Sequence, residues 1–460
     1  MFCQLDRLRR CLSPRIRRAL DELPETLDGT YERTLLDIDE EHWAYAHRLF
    51  QCVVVARRPL RVEELAEFLA FKSESGGSLT FQSDWRPENA RDTVLTTCSS
   101  LISIVNVDDS LVVQFSHFSV KEYLTSSRIA EGRVSRYNIP LEPAHLLVAQ
   151  ACLSFLIQLD KHVTEKSIKE FPLARYAGQY WTEHAEFGNV ASHAEDLIKH
   201  LFNPENHHFA NWVWIHDTIL DQSTDSSVLS RGKHAPLHSA ARHGFHRVTE
   251  WLITTCSQDV TVSGYNGWTP FHIASRHGQF MVVQVLLTHH VDVNAGDDFD
   301  WAPLHHASCY GHPGIARLLL EHGADANLTS KSWGSESPLS LFCQGSGNLE
   351  LAQVLLEYGA DPSFRPDCGW DSLYTALMEG HQGLAQLLLK HGADPNTRDV
   401  DGQTLLHVSS RHGHQKVAEG LLELGVDVNS LDSSGQTPLQ VALENDNEDV
   451  VQLLLQHGAL

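Results

Sequence analysis

The sequence lacks most of what catalysis requires. It holds no Gly-x-x-x-x-Gly-Lys-Ser/Thr run, so no loop of backbone N–H groups with its lysine is encoded to cradle a phosphate. Neither a Gly-x-Ser-x-Gly elbow nor a His-Glu-x-x-His pair occurs, which leaves no visible serine nucleophile and no zinc-hydrolase helix. The nine cysteines are odd in number, scattered and without a Cys-x-x-Cys spacing. That excludes a disulfide framework or zinc ribbon and fits reduced thiols in the cytoplasm, the nucleus being the other reduced compartment. Basic residues are scarce, 35 Lys and Arg against 59 Asp and Glu for a net charge of −24; nucleic acid and anionic membrane would repel such a chain. Long apolar runs are missing too. The longest, His145 to Leu159, contains Gln150 and Gln158 and falls short of the ~20 residues that span a bilayer. Met1 is soon followed by polar and basic residues, unlike a secretory signal. The expectation is a soluble intracellular protein with no enzyme activity, no cofactor, no metal and no membrane partner.

What is present is repetition. Ala235-Pro-Leu-His, Thr269-Pro-Phe-His, Ala302-Pro-Leu-His, Ser337-Pro-Leu-Ser, Asp371-Ser-Leu-Tyr, Thr404-Leu-Leu-His and Thr437-Pro-Leu-Gln follow one another at spacings of 34, 33, 35, 34, 33 and 33 residues. Thr269 and Thr437 can cap a helix through their hydroxyls, and a proline at the first helical position loses no hydrogen bond. Ser337, Asp371 and Thr404 keep a capping oxygen. Ala235 and Ala302 do not, which predicts local weakness of about 0.5–2 kcal/mol in the first and third repeats. A leucine-rich segment follows each core, and five of these end on Gly323, Gly359, Gly392, Gly425 and Gly458, where a left-handed residue stops the helix. His290 stands in that place in the second repeat, a sterically less comfortable choice.

Period and core together resemble the ankyrin repeat. The resemblance implies a mostly α architecture in which seven stacked repeats over residues 231–460 share one core and expose a concave face suited to a protein ligand. The fourth and fifth repeats, with Ser340 and Tyr374 in the histidine slot and an extra residue between Cys343 and Asn348, depart most from the pattern. Because the sequence stops at Leu460 without a polar capping repeat, the seventh is expected to fray first.

Ahead of the repeats, residues 1–45 read as a helical segment with six arginines from Arg7 to Arg18; a solvated helix face accounts for them better than a localisation signal. Residues 46–130 give three helices, around Leu49 to Val55, after Pro59 and from Asn89 to Ser100. Two strands, Leu101–Val105 and Leu111–Phe115, flank Asp108-Asp109. That order makes a winged helix. Leu23-Pro-Glu-Thr-Leu, Pro59-Leu-Arg-Val-Glu-Glu-Leu and His117-Phe-Ser-Val-Lys-Glu-Tyr-Leu resemble the winged-helix region, of the type labelled by GPI inositol-deacylase, that follows the NACHT domain in fungal NLR-like proteins. The label implies no hydrolase activity. The resemblance implies that residues 1–45 end a NACHT-type module and that residues 131–230 form a helical stalk, with the boundary at Ser223 to Ser230. It further implies a sensor or scaffold arm of a signalling protein, working with a separate NACHT-type NTPase. The alternative is a transcriptional regulator using the winged helix on DNA. Its charge opposes that: residues 43–130 hold nine Lys and Arg against ten Asp and Glu, and the third helix carries Asp92 beside Arg91, where DNA reading needs a positive face.

Many of the 29 histidines are placed by the repeat register rather than by metal-ligand spacing. His238, His272, His305 and His407 fall in the Pro-Leu-His core, where a polar ring can brace the loop. The aromatics are more telling. Trp268, Trp301 and Trp370 occupy one slot just before the capping residue, beside Tyr265, Phe299 and Trp333 on the projecting fingers. Two readings stand, packing between fingers or a partner-binding stripe, since Trp and Tyr dominate binding hot spots. Arg276, His277, Cys309, Tyr310, Arg411 and His412 would line the adjoining inner-helix surface.

Overall fold

In the computed structural model the described residues are 26–73, 79–98, 101–107, 110–159, 163–164, 170–220, 236–330, 334–343, 348–364, 366, 371–379 and 381–460. Two compact units divide the chain, Met1–Ser230 and Arg231–Leu460. The arginine-rich helices expected before residue 26, and Trp333 and Trp370, lie outside the described residues.

In the first unit Thr26 Oγ1 accepts the Gly29 N–H at 3.1 Å and starts helix Leu27–Leu36. Helix Trp43–Val55 follows, with Leu49, Phe50, Cys52, Val54 and Val55 buried. Proline at position 59 cannot extend it, and the chain turns into strand β1, Leu60–Arg61, and helix Val62–Glu67. Strands β2, Phe71–Ser73, and β3, Leu79–Phe81, pair as an antiparallel hairpin. Helix Ala90–Cys98 leads to β4, Ile102–Val107, and β5, Ser110–Phe115. β4 and β5 pair with Ile104 opposite Val113 and Val105 opposite Val112, β-branched residues that fit a pleated, half-buried face. β1 joins the far edge of β5 through Leu60 and Val113, giving a sheet of order β1-β5-β4. Three helices with this sheet make a winged helix carrying an extra hairpin between its second and third helices.

Two buried carboxylates bind this domain to the helices that follow. Glu64, 1% exposed, accepts two hydrogen bonds from Arg58 at 2.6 and 2.7 Å and one from the Arg61 N–H at 2.8 Å, while the Arg58 guanidinium lies over Tyr176 and Tyr180. Glu67 pairs with Arg86 at 2.7 Å and receives the Leu173 N–H at 3.3 Å. Helix Leu141–Ile157 is apolar almost all round, and such a helix must be covered on every side. Helices Trp43–Val55, Leu173–Ala185 and Glu195–Phe202 and strand β3 cover it. Helix His208–Leu220, within the stretch expected to be helical, crosses Leu173–Ala185 at Gly178, and Trp212 Nε1 donates to the Gly178 carbonyl at 2.9 Å.

A chain of polar groups runs through this core. The Arg57 N–H donates to the Tyr176 hydroxyl at 3.2 Å, which leaves the phenolic hydrogen for Nε2 of His184, 2.8 Å away. His184 then carries its proton on Nδ1 and donates it to His145 Nδ1 at 2.8 Å. This assignment gives every contact along the chain one donor and one acceptor. Burial holds both imidazoles in the neutral form, His184 down to about 3 and His145 to about 4.

The second unit is seven helix pairs. Their first helices are Pro236–Arg242, Pro270–Arg276, Pro303–Cys309, Pro338–Cys343, Ser372–Met378, Leu405–His412 and Pro438–Glu444. Their second helices are His246–Thr254, Phe280–Thr288, Pro313–Glu321, Leu349–Glu357, Gln382–Lys390, Gln415–Glu423 and Glu448–Gln456. One contiguous apolar cluster runs from Ala241 to Ala459 through all of them, so no pair has to bury its own face alone.

His272 and His407 brace the repeats from both ring nitrogens. His272 Nδ1 accepts the Thr269 N–H at 3.2 Å while Nε2 donates to the Ala295 carbonyl at 2.9 Å, one repeat on. His407 does the same with Thr404 at 3.1 Å and Gln436 at 3.0 Å. In the third repeat the His305 ring accepts the Ala302 N–H at 3.0 Å, so the backbone amide of a cap without a side-chain oxygen is still satisfied. Ser340 makes the local half of this arrangement, accepting from Ser337 N at 2.8 Å. A second ladder is built by asparagines after the second helices. Asn327 donates to the Gly359 carbonyl at 2.9 Å and accepts the Asp361 N–H at 2.7 Å; Asn294 and Asn429 repeat the pattern. The terminating glycines, Gly323 to Gly458, all have φ between 78° and 95°, and His290 adopts φ 57° in the same role.

Candidate protein-binding surface

The concave candidates sit on two structures, the finger before each first helix and the last turn of that helix. In the second repeat Gly264 N donates to the Trp268 carbonyl at 2.8 Å across a turn with Asn266 and Gly267 at positive φ. This closes a tight finger and leaves Tyr265 44% exposed at its tip. The third finger is built on Asp297. Its carboxylate accepts the N–H groups of Phe299 and Trp301, both at 2.9 Å, and Asp298 N donates to the Asn266 carbonyl at 3.0 Å, tying finger to finger. Asp399 and Asp432 hold the sixth and seventh fingers in the same way.

Asp297 does more than close a turn. It also accepts Trp268 Nε1 at 2.8 Å and His306 Nε2 at 3.0 Å. The His306 and Asp297 side chains are 2% and 1% exposed. Burial alone would raise the Asp297 pKa, but the hydrogen bonds from His306, Trp301 and Phe299 outweigh it and hold the carboxyl below its ordinary range. His306 is kept neutral by burial against the pull of that carboxylate. Neutral imidazole donating to carboxylate is therefore the resting state. A His–Asp pair suits proton transfer when it faces a substrate; this one faces Trp268, Trp301 and the His272 ring and has no route to solvent.

Three of the sequence candidates are brought together. The Arg276 guanidinium lies over the Trp268 ring at 4.7 Å and over the Tyr310 ring at 4.2 Å, held between an aromatic of its own repeat and one of the next. His312 Nε2 donates to the Arg276 carbonyl at 3.0 Å and fixes the backbone beneath it. Tyr310 is 44% exposed; His277 and Cys309 are exposed beside it, as are Arg411 and His412 three repeats away. Trp268, Phe299 and Trp301 are half-buried, so the finger aromatics serve packing with one part of each ring and face outward with another. Asp297 and His306, which organise this site, were not among the sequence candidates. The recurrence of aspartate at the finger base in Asp297, Asp399 and Asp432 is the signal that marks the first; nothing in the register marks the second.

On the winged helix, helix Ala90–Cys98 exposes Arg91, Asp92 and Thr96, with Asp92 held by Asn89. Among the described residues no group of three or more His, Cys, Asp or Glu is placed to hold a metal ion. No helix among them is long and apolar enough to cross a membrane.

Comparison with known proteins fits this geometry. The family description "Ankyrin repeats (3 copies)" matches residues 190–297, 237–330, 327–399 and 396–460, and "GPI inositol-deacylase, winged helix domain" matches residues 34–139. A curated relative, "Azaphilone pigments biosynthesis cluster protein L" of Monascus ruber, is 33% identical over 207 residues, 43% of this chain and 43% of the relative. The chain thus spans less than half the length of that protein. The human ASB11 ankyrin repeat domain, known from a crystal structure, is 25% identical with a TM-score of 0.43, covering 49% of this chain and 99% of that one.

Proposed function

This chain belongs to the ankyrin-repeat family, and from that premise we propose that it is a non-enzymatic binding protein that holds a protein partner on the fingers and first-helix tips of its repeats. Ankyrin repeats are protein–protein interaction modules. The observation that carries the finer reading is the group Trp268, Arg276 and Tyr310, where an exposed phenol and a ring-held guanidinium stand on a rigid scaffold. Large aromatics and arginine immobilised before binding lose little entropy on association and are the residue types that dominate hot spots. The biological setting we propose is a sensor or scaffold arm of an NLR-like signalling assembly that works with a separate NACHT-type NTPase. The resemblance of Leu23–Leu27, Pro59–Leu65 and His117–Leu124 to such proteins supports it.

The test uses the full chain as bait in lysate of its source cells, beside a Tyr265→Ser/Tyr310→Ser variant. Both positions are exposed, so folding should survive, as circular dichroism would verify. The expected result is at least one protein retained by the wild type and lost from the variant. Equal retention of every captured protein by the two would end this reading.

A further inference from the structure

We propose that the concave face of the second and third repeats is a receptor for an acidic protein segment, with a carboxylate of the partner seated on Arg276 between Trp268 and Tyr310. The inference rests on the binding role proposed above and names the chemistry of what is bound.

Arg276 is prepared for such a ligand. The guanidinium lies over two rings, at 4.7 and 4.2 Å, and is hydrogen-bonded to the Tyr310 side chain, which leaves the rest of its planar N–H edge, five donors in all, for an acceptor. That planar edge matches a carboxylate in two parallel hydrogen bonds. Among the described residues no carboxylate pairs with Arg276, whereas Arg317 has Glu357. Held by the two rings before binding, the guanidinium loses little further side-chain entropy when an external carboxylate arrives.

The surroundings have the right sign. His277 is pushed toward its neutral form first by partial burial and then by neighbours that include Arg242 and Arg276, so two arginines share this one patch. The patch stands out on a unit with 12 Lys and Arg against 26 Asp and Glu. At physiological salt the Debye length is about 8 Å, so acidic groups on distant repeats are screened from it; of the six carboxylates on the second and third repeats, Asp297 is already engaged by Trp268, Phe299, Trp301 and His306. The distant groups would, however, repel a polyanion long enough to reach them. A short acidic segment therefore fits better than nucleic acid, and Tyr265 and Tyr310 offer apolar surface that a phosphate backbone would not use.

The experiment titrates the full chain into a short fluorescein-labelled peptide of Glu interspersed with Leu and Ser, its Glu→Gln analogue, and a single-stranded oligonucleotide of equal length. The acidic peptide should bind and the Gln analogue should bind at least tenfold more weakly. Binding should fade as salt is raised toward about 1 M, where the Debye length is about 3 Å. Arg276→Gln should cost about tenfold, or ~1.4 kcal/mol, and Arg276→Lys should recover only part of it, since an ammonium lacks the planar edge. Indifference to Arg276→Gln, equal binding of the Gln analogue, or tighter binding of the oligonucleotide would each overturn the proposal. If the peptide fails while a captured partner still depends on Tyr265 and Tyr310, the acidic-ligand inference falls and the binding function stands.

Discussion

Nε1 of Trp268 donates to Oδ2 of Asp297 at 2.8 Å, so an indole of the second repeat is held by a carboxylate of the third. The same carboxylate receives His306 and the amides of Phe299 and Trp301. One residue therefore orders a finger, fixes the tautomer of a buried histidine and positions the ring on which Arg276 rests.

Asp297→Ala removes four hydrogen bonds and leaves buried donors without acceptors. The expected loss is about 3 kcal/mol, since orphaning the partners of a buried carboxylate costs far more than losing an exposed one. Urea denaturation of the full chain measures it. Loss below about 1 kcal/mol would mean that water replaces the carboxylate at the finger base.

Stability should fall with acid as the buried neutral histidines are forced to take up protons. His145, His272 and His305 are held to about 4 and His184 to about 3, burial being the largest cause for each. The unfolded chain binds protons on these rings below pH 6.5 and the folded chain only near 4. Their contribution is therefore complete above pH 6.5 and is lost progressively as pH falls from 6.5 toward 4. Denaturation midpoints measured across that window should drop steadily. Hydrogen exchange in helix Leu173–Ala185, which carries His184, should quicken beyond the chemical effect of pH, and a flat profile there would refute the neutral relay.

Gly178→Ala should destabilise the first unit by about 1–3 kcal/mol, because overpacking forces neighbours off their minima. A Cβ there would sit 2.5 Å from Cγ2 of Ile215, and the two helices cannot separate without breaking the Trp212 to Gly178 hydrogen bond. The thermal midpoint of the variant reports this; an unchanged midpoint would show that Ile215 has room to turn away.

His290→Gly should stabilise the repeats by about 0.5–1 kcal/mol. A side chain in the left-handed region costs roughly 1–2 kcal/mol, and the added freedom of glycine in the unfolded chain takes back part of it. His290 is exposed at φ 57°, so no packing is lost. Chemical denaturation of the two proteins side by side decides it, and a less stable variant would reveal a contact of the imidazole that outweighs the strain.

The sequence by itself determined the solenoid, because a helix pair that cannot bury its own face must repeat and the repeat is written in its caps, core histidines and terminating glycines. It also determined the winged helix in outline, since two short runs rich in β-branched and aromatic residues, Leu101–Val105 and Leu111–Phe115, on either side of Asp108-Asp109 read as a hairpin. The short β1 and the β2–β3 hairpin were not legible, as strands of two and three residues carry no period and exist only because β5 and helix Leu141–Ile157 cover them. Tyr265, Trp268, Arg276 and Tyr310 could be placed on one face from register alone. That Arg276 lies between two rings, that Trp268 is anchored by Asp297, and that His306 is buried under both are decided by packing between successive repeats. Register fixes which side of a helix a residue occupies, whereas distances across a repeat interface follow from the volumes and hydrogen bonds of every side chain that fills it.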